Sequence, residues 1–150
     1  MAFRPKKILV PTDFSLHSDE ALTAAIELAT QYGAAITLLH VVPLSDYTAY
    51  ASQLSPAGAQ LDSLETALHQ AAQKSIAAQL QRLPTQATIA TAVIDGPAPA
   101  EICDYAKANG FDLIVLASHG HTGVKRLLLG SIAERVVHHA TIPVLVMRNT

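Results

Sequence analysis

The chain has 150 residues, the length of one ordinary domain, and half of them are hydrophobic, so it can bury a core unaided and is not a disordered chain. Ten Lys and Arg stand against twelve Asp and Glu, and only 15% of residues are charged. That balance excludes a non-specific binder of nucleic acid or of a membrane surface. The single cysteine, Cys103, can form no internal disulfide and has no companion at zinc-site spacing, which points to a reducing compartment, with cytoplasm as the default. The basic opening Met1–Lys7 leads into only Ile8-Leu9-Val10 before Pro11, too short for a signal peptide, and no run of about 18 apolar residues could span a membrane.

Short apolar runs rich in β-branched residues alternate with stretches of helical period, the pattern of βαβ units around a parallel sheet within a single domain, 1–150. The first strand is expected at Lys7–Thr12. The first helix follows at Asp19–Tyr32, capped by Ser18 or Ser15, with Ala21, Leu22, Ala25, Ile26 and Ala29 as its buried stripe and Gly33 as a left-handed stop. A strand at Ala35–Val42 precedes a long connection, 43–60, that contains Pro56 and Gly58 and suits a mobile segment or a lid. The second helix, Leu61–Leu83, is closed by Pro84 and carries Leu64, Leu68, Ala72, Ile76 and Leu80 on one face. The remaining elements are a strand at Thr88–Ile94, a helix at Ala98–Asn109 stopped by Gly110, a strand at Asp112–Ser118, a fourth helix opening at Gly130-Ser131, and a strand at Val144–Arg148. Most strands are apolar on both faces, as in a five-stranded doubly wound α/β sheet with helices on both sides.

In such sheets the ligand sits beyond the carboxyl ends of the strands, so chemistry is sought in Pro11-Thr12-Asp13, Asp95-Gly96-Pro97 and Ser118 to Gly123. A helix that opens Gly-Ser offers unpaired amides, a hydroxyl and the positive dipole end, which suit a phosphate. Between Ala117 and His139, Lys125, Arg126 and Arg135 oppose only Glu134, a local excess of positive charge. The same Gly130-Ser131 would also serve as an ordinary helix cap beside a solvated basic face. Neither Gly-x-x-x-x-Gly-Lys-Ser/Thr nor Gly-x-Gly-x-x-Gly occurs, so P-loop and ordinary dinucleotide chemistry are disfavoured. His119-x-His121 and adjacent His138-His139 do not converge on one ion, so no metal ligands are assigned among them. Cys103, between Ile102 and Ala106, is expected to be a buried and inert thiol.

The opening Lys7-Ile8-Leu9-Val10-Pro11-Thr12-Asp13-Phe14-Ser15, the run Leu39-His40-Val41-Val42, the turn Gly96-Pro97-Ala98, the segment Ser118-His119-Gly120 with Leu129-Gly130-Ser131-Ile132-Ala133-Glu134, and Pro143-Val144-Leu145-Val146 together resemble the universal stress proteins over nearly the whole chain. In nucleotide-binding members the glycine motif is Gly-x2-Gly-x9-Gly-Ser/Thr. Nine intervening residues separate Gly120 from Gly130-Ser131, and that register puts Ala117 where the family has its first glycine. Alanine serves there in extended backbone, whereas positive φ would cost roughly 1 kcal/mol or more.

The resemblance implies a Rossmann-like sheet of order 3-2-1-4-5 and an ATP site, with a magnesium ion nearby. Asp13 would hold the ribose, Val41 would meet adenine through its backbone, and Pro11, Thr12 and Gly96 would wall base and ribose. Ala117, Gly120, Gly130, Ser131 and Ile132 would cradle the phosphates, mainly through amides. Read from its position alone, Asp13 is equally an Asx turn or cap of the first helix. The resemblance further implies a homodimer through Val144–Arg148 and a regulatory role toward a protein partner that the sequence does not identify. No catalytic residue is assigned. A slow ATPase and a nucleotide-free dimerisation module are the alternative functions.

Overall fold

The computed structural model describes residues 2–44, 46–47, 49, 59–119 and 129–148. Over these the chain runs β1 (Lys7–Pro11), α1 (Leu16–Tyr32), β2 (Ala35–Val42), α2 (Ala59–Arg82), β3 (Ile89–Asp95), α3 (Ala98–Ala108), β4 (Leu113–Ala117), α4 (Ser131–His139) and β5 (Val144–Met147). The strands form one parallel sheet in the order β3-β2-β1-β4-β5. Most of the expected connection 43–60 lies outside the described residues, and Ala59 and Gln60 already belong to α2.

Alternation along the strands builds the two layers. Ile8, Val10, Leu38 and Val115 face one side, where Ala21, Leu22 and Ala25 of α1 and Ile76 of α2 cover them. Leu9, Leu39, Val41, Ile114 and Leu116 face the other, against Ile102 and Ala106 of α3 and Ala133 and Val136 of α4. Successive residues of a strand point to opposite faces, so an apolar run such as Ile8-Leu9-Val10 is required wherever both faces are covered.

Several boundaries differ from the sequence expectation for local reasons. Helix α1 begins at Leu16, because Ser15 is the cap: its Oγ accepts the Ser18 N–H at 3.2 Å. Ser18 therefore lies inside the first turn and is buried. At the other end Gly33 takes φ 70°, and its N–H donates to Ala29 O at 2.8 Å, a left-handed stop. Ile26 is only partly buried at the margin of the α1 stripe, and Leu80 has the same marginal place on α2. In α2 the apolar face is deepest at Ala72 and Ile76 and includes the fully buried Gln79, a polar residue that the apolar pattern omits. Cys103 is half-buried rather than buried. Its thiol points toward Val136 O at 3.9 Å, and burial together with the Asp104 charge pushes its pKa up, so it stays protonated.

Candidate functional site

All five strands are parallel, so their carboxyl ends share one edge. The strand order reverses between β1 and β4. Their ladder covers Ile8↔Leu113 and Leu9↔Ile114, whereas β1 runs on to Pro11 and β4 to Ala117. Thr12 N–H donates to Leu39 O on β2, so the alternating backbone turns the Pro11 nitrogen toward β4. Proline has no proton to donate there, and the two strands part into a crevice. This is the topological switch point at which doubly wound folds bind ligands.

The turn after β1 is locked by its own side chains. Thr12 Oγ1 accepts the Phe14 N–H at 3.0 Å and donates to Gln79 Oε1 at 2.8 Å. Asp13 Oδ1 accepts the Ser15 N–H at 3.0 Å and the Ser18 hydroxyl at 2.6 Å. Asp13 thus makes the Asx turn that its position also suggested. Phe14 is held at φ 67°, the one positive value among the described non-glycine residues, at a cost of roughly 1–2 kcal/mol. Gln79 Nε2 donates to Asp19 Oδ1 at 2.8 Å, and Asp19 in turn accepts Arg82 Nη2 at 3.0 Å. Thr12, Gln79, Asp19 and Arg82 therefore chain the turn to α1 and α2. The Thr12 hydroxyl is buried and turned inward, so Thr12 can wall a ligand only with its backbone and methyl surface.

His40 braces the same turn from β2. Its Nδ1 lies 2.8 Å from Thr12 O, and its ring centroid lies 4.4 Å from that of Phe14. A carbonyl can only accept, so Nδ1 carries the proton and Nε2 is the acceptor of the neutral ring. Burial pushes the His40 pKa below its ordinary value of 6.5, against the opposing pull of the Thr12 carbonyl and the Asp13 charge.

Across the crevice, β4 hands over to α4. Ala117 pairs with Met147 in extended backbone and has no positive φ, so alanine is tolerated where the family has glycine. Gly130 N–H donates to Ser118 O at 2.6 Å, and a Cβ added at Gly130 would stand 2.8 Å from that oxygen. Only glycine permits this approach. The same bond engages the Gly130 amide within the protein. The first helical bond of α4 runs from Glu134 N to Gly130 O, and no side chain caps the helix. The amides of Ser131, Ile132 and Ala133 are thus the orphan donors of the first turn, beside the ends of the central strands. Gly120, together with Lys125 and Arg126, lies outside the described residues.

Val41 is buried in the second core layer and pairs with Ile94. Gly96 takes φ 131°, a conformation that strains L side chains, and an added Cβ would meet the Glu101 Cγ at 2.7 Å. Pro11, Thr12 and Asp13 lie at and just after the end of β1, Ala117 ends β4, Gly130, Ser131 and Ile132 open α4, and Val41 and Gly96 lie at the ends of β2 and β3. Gln79 was not singled out from the sequence, Ser18 was named only as a possible cap of α1, and His40 only within the run Leu39-His40-Val41-Val42. A signal for Gln79 was present, since Ala72, Ile76, Gln79 and Leu83 keep one helical face.

This parallel sheet of order 3-2-1-4-5, with its reversal point and helices on both faces, defines a doubly wound, Rossmann-like α/β domain. The sequence model described as the Universal stress protein family matches residues 5–148, and the chain belongs to that family. It is 33% identical over 145 residues to a universal stress protein of Methanocaldococcus jannaschii, covering 95% of this chain and 82% of that one. It is 35% identical to universal stress protein A homolog 2 of Coxiella burnetii, covering 95% and 94%. Among solved structures, UspA of Lactobacillus plantarum superposes with a TM-score of 0.80 at 31% identity, over 98% of this chain and all of that one.

Proposed function

We propose that this protein binds adenine nucleotide, ATP by preference, as a cytoplasmic regulator that works as a homodimer and presents a nucleotide-dependent surface to a protein partner. The observation that carries the reading is the approach of Gly130 to Ser118 O, which sets the orphan amides of Ser131, Ile132 and Ala133 at the crevice. Amides at the positive end of a helix dipole favour a polyphosphate. A universal stress protein of the same fold, 20% identical with a TM-score of 0.60, has been solved in complex with cAMP.

In this reading the phosphates rest on the first turn of α4 and on Ala117, with Gly120 completing the loop. Pro11, Thr12 and Gly96 wall the base and ribose, Val41 meets adenine through its backbone, and Asp13 addresses the ribose hydroxyls while its turn holds it in place. A magnesium ion would neutralise phosphate charge beside Asp13. Binding is preferred to hydrolysis because the crevice's described side chains serve structural bonds: Thr12 is bonded to Gln79, and Asp13 to Ser15 and Ser18. Dimerisation through β5 is supported by its place at the sheet edge, where Leu145 is exposed, and by exposed Ile132 and Val137 on the neighbouring α4.

Calorimetric titration of the dialysed protein with ATP and magnesium tests the reading. Saturable binding near one nucleotide per chain supports it, and absence of heat at two temperatures overturns it in favour of a nucleotide-free dimerisation module. Steady release of phosphate, abolished in Asp13→Asn while binding persists, would instead establish the slow ATPase.

A further inference from the structure

A second cluster of chemically competent side chains lies at the β3 end of the sheet, away from the β1–β4 crevice. His69 projects from α2, and its Nε2 is 2.6 Å from Oδ1 of Asp95, the last residue of β3. Glu65 stands one helical turn before His69, and i,i+4 spacing places both on one face of α2. One ligand atom from each of Glu65, His69 and Asp95 lies within 4.8 Å of the other two. In the sequence these residues are scattered, so the histidine pairs His119/His121 and His138/His139 drew attention instead.

We infer that Glu65, His69 and Asp95 form a binding site for a borderline divalent transition cation of the zinc class. The donor set carries the choice of ion: one imidazole nitrogen with two carboxylates suits zinc and its neighbours, whereas magnesium prefers oxygen donors and retained water. Metal–donor bonds of about 2.0–2.2 Å in tetrahedral geometry place the donors about 3.3–3.6 Å apart. The His69–Asp95 pair at 2.6 Å is closer than that spacing and the whole group lies within 4.8 Å, so side-chain rotation suffices to bring the three donors to an ion.

The position is braced and electronegative. Asp95 is fixed at a strand end by pairing with Val42, and the next amide, Gly96 N–H, donates to Val42 O at 3.0 Å. Glu101 packs its carboxyl group against Gly96 and adds a further negative charge next to Asp95. Among the described residues the Lys or Arg ion pair is Arg82–Asp19, so neither Glu65 nor Glu101 meets a Lys or Arg there. The His69 and Asp95 side chains are 30% and 34% exposed, which leaves an entry path and a fourth coordination position for water. A bound ion would cross-link α2 to the end of β3, and the site stands independently of the nucleotide reading.

The test uses the full chain, freed of metal with a chelator, titrated with zinc chloride in nucleotide-free buffer and followed by calorimetry and thermal unfolding. One zinc ion per chain is expected, with a raised unfolding midpoint and no displacement by millimolar magnesium. His69→Gln, Asp95→Asn and Glu65→Gln should each lower zinc affinity tenfold or more. Asp95→Asn is the sharpest variant, because asparagine still bonds His69 and preserves the fold while removing the charged ligand. The double variant His138→Gln/His139→Gln should bind as the parent does. Absence of zinc binding by the parent, parental affinity in all three site variants, or loss of binding in the His138/His139 control would overturn the assignment.

Discussion

Gly130→Ala is the perturbation that separates a close backbone approach from an ordinary helix cap. The added Cβ would stand 2.8 Å from Ser118 O, whereas ordinary contact begins at 3.4 Å. The end of β4 and the start of α4 must therefore part by about 0.6 Å. The same oxygen accepts the Gly130 N–H at 2.6 Å, and a parallel displacement would stretch that bond to about 3.2 Å, the limit of useful geometry. Crowding of this kind costs about 1–3 kcal/mol and the weakened bond some fraction of about 1 kcal/mol, offset by about 0.4–1 kcal/mol from the stiffer unfolded chain. The net expectation is a loss of about 1–3 kcal/mol, read as a lower urea midpoint at unchanged slope. The displacement also carries the amides of Ser131, Ile132 and Ala133 off the phosphate positions, so ATP affinity in calorimetry should fall by about tenfold or more. Parental stability and parental affinity in Gly130→Ala would refute the argument. Lost stability with parental affinity would place the phosphates somewhere other than the α4 turn.

Gln79→Leu should destabilise the fold by about 1–3 kcal/mol in urea, because it strips the buried Thr12 hydroxyl of its acceptor and Asp19 of a donor. Acid should destabilise the protein through His40. Burial lowers its folded pKa below the ordinary 6.5, so below that value the unfolded chain takes up a proton that the folded chain refuses. This contribution is fully present above about pH 6.5 and is lost as pH falls through the lowered value, and His40→Gln should flatten that part of a stability–pH profile. Leu145→Glu should shift sedimentation toward monomer, since it places a charge on the exposed side chain of the β5 edge. A mass unchanged from a dimeric parent would remove β5 from the interface.

The fold was legible because its signals are local. Runs such as Leu113–Leu116 read as strands covered on both sides, and Gly33 and Gly110 punctuate the ends of α1 and α3 at positive φ. The strand order came from family resemblance, since periodicity does not say which strands are neighbours. Within the site, glycine spacing identified Gly130, and its contact with Ser118 O supplies the physical reason for a glycine there. The residues that brace the site stayed hidden because their partners are remote in sequence. Gln79 lies 67 positions from Thr12, and His40 lies 28 from it. A glutamine in an Ala- and Gln-rich helix reads as surface until a buried hydroxyl is found facing it.

The same bonds explain why the crevice should depend more on backbone than on side chains. The Thr12 hydroxyl is bonded to Gln79, Ser18 to Asp13, Ser15 to the Ser18 amide, and Ser118 lies beside His119 Nδ1 at 3.0 Å. These bonds fix the turn after β1 in a conformation that its Phe14 backbone would not adopt alone. What they leave for an anion is the unbonded first turn of α4, whose donors belong to every residue type except proline. Substitutions that keep the backbone path should therefore be mild: Ser131→Ala retains its amide and should weaken ATP binding only a few-fold. Ser131→Pro also suits the first position of a helix but removes that amide, so its affinity should fall well below that of the alanine variant. Equal affinities of the two variants would move the recognition from the α4 amides to side chains.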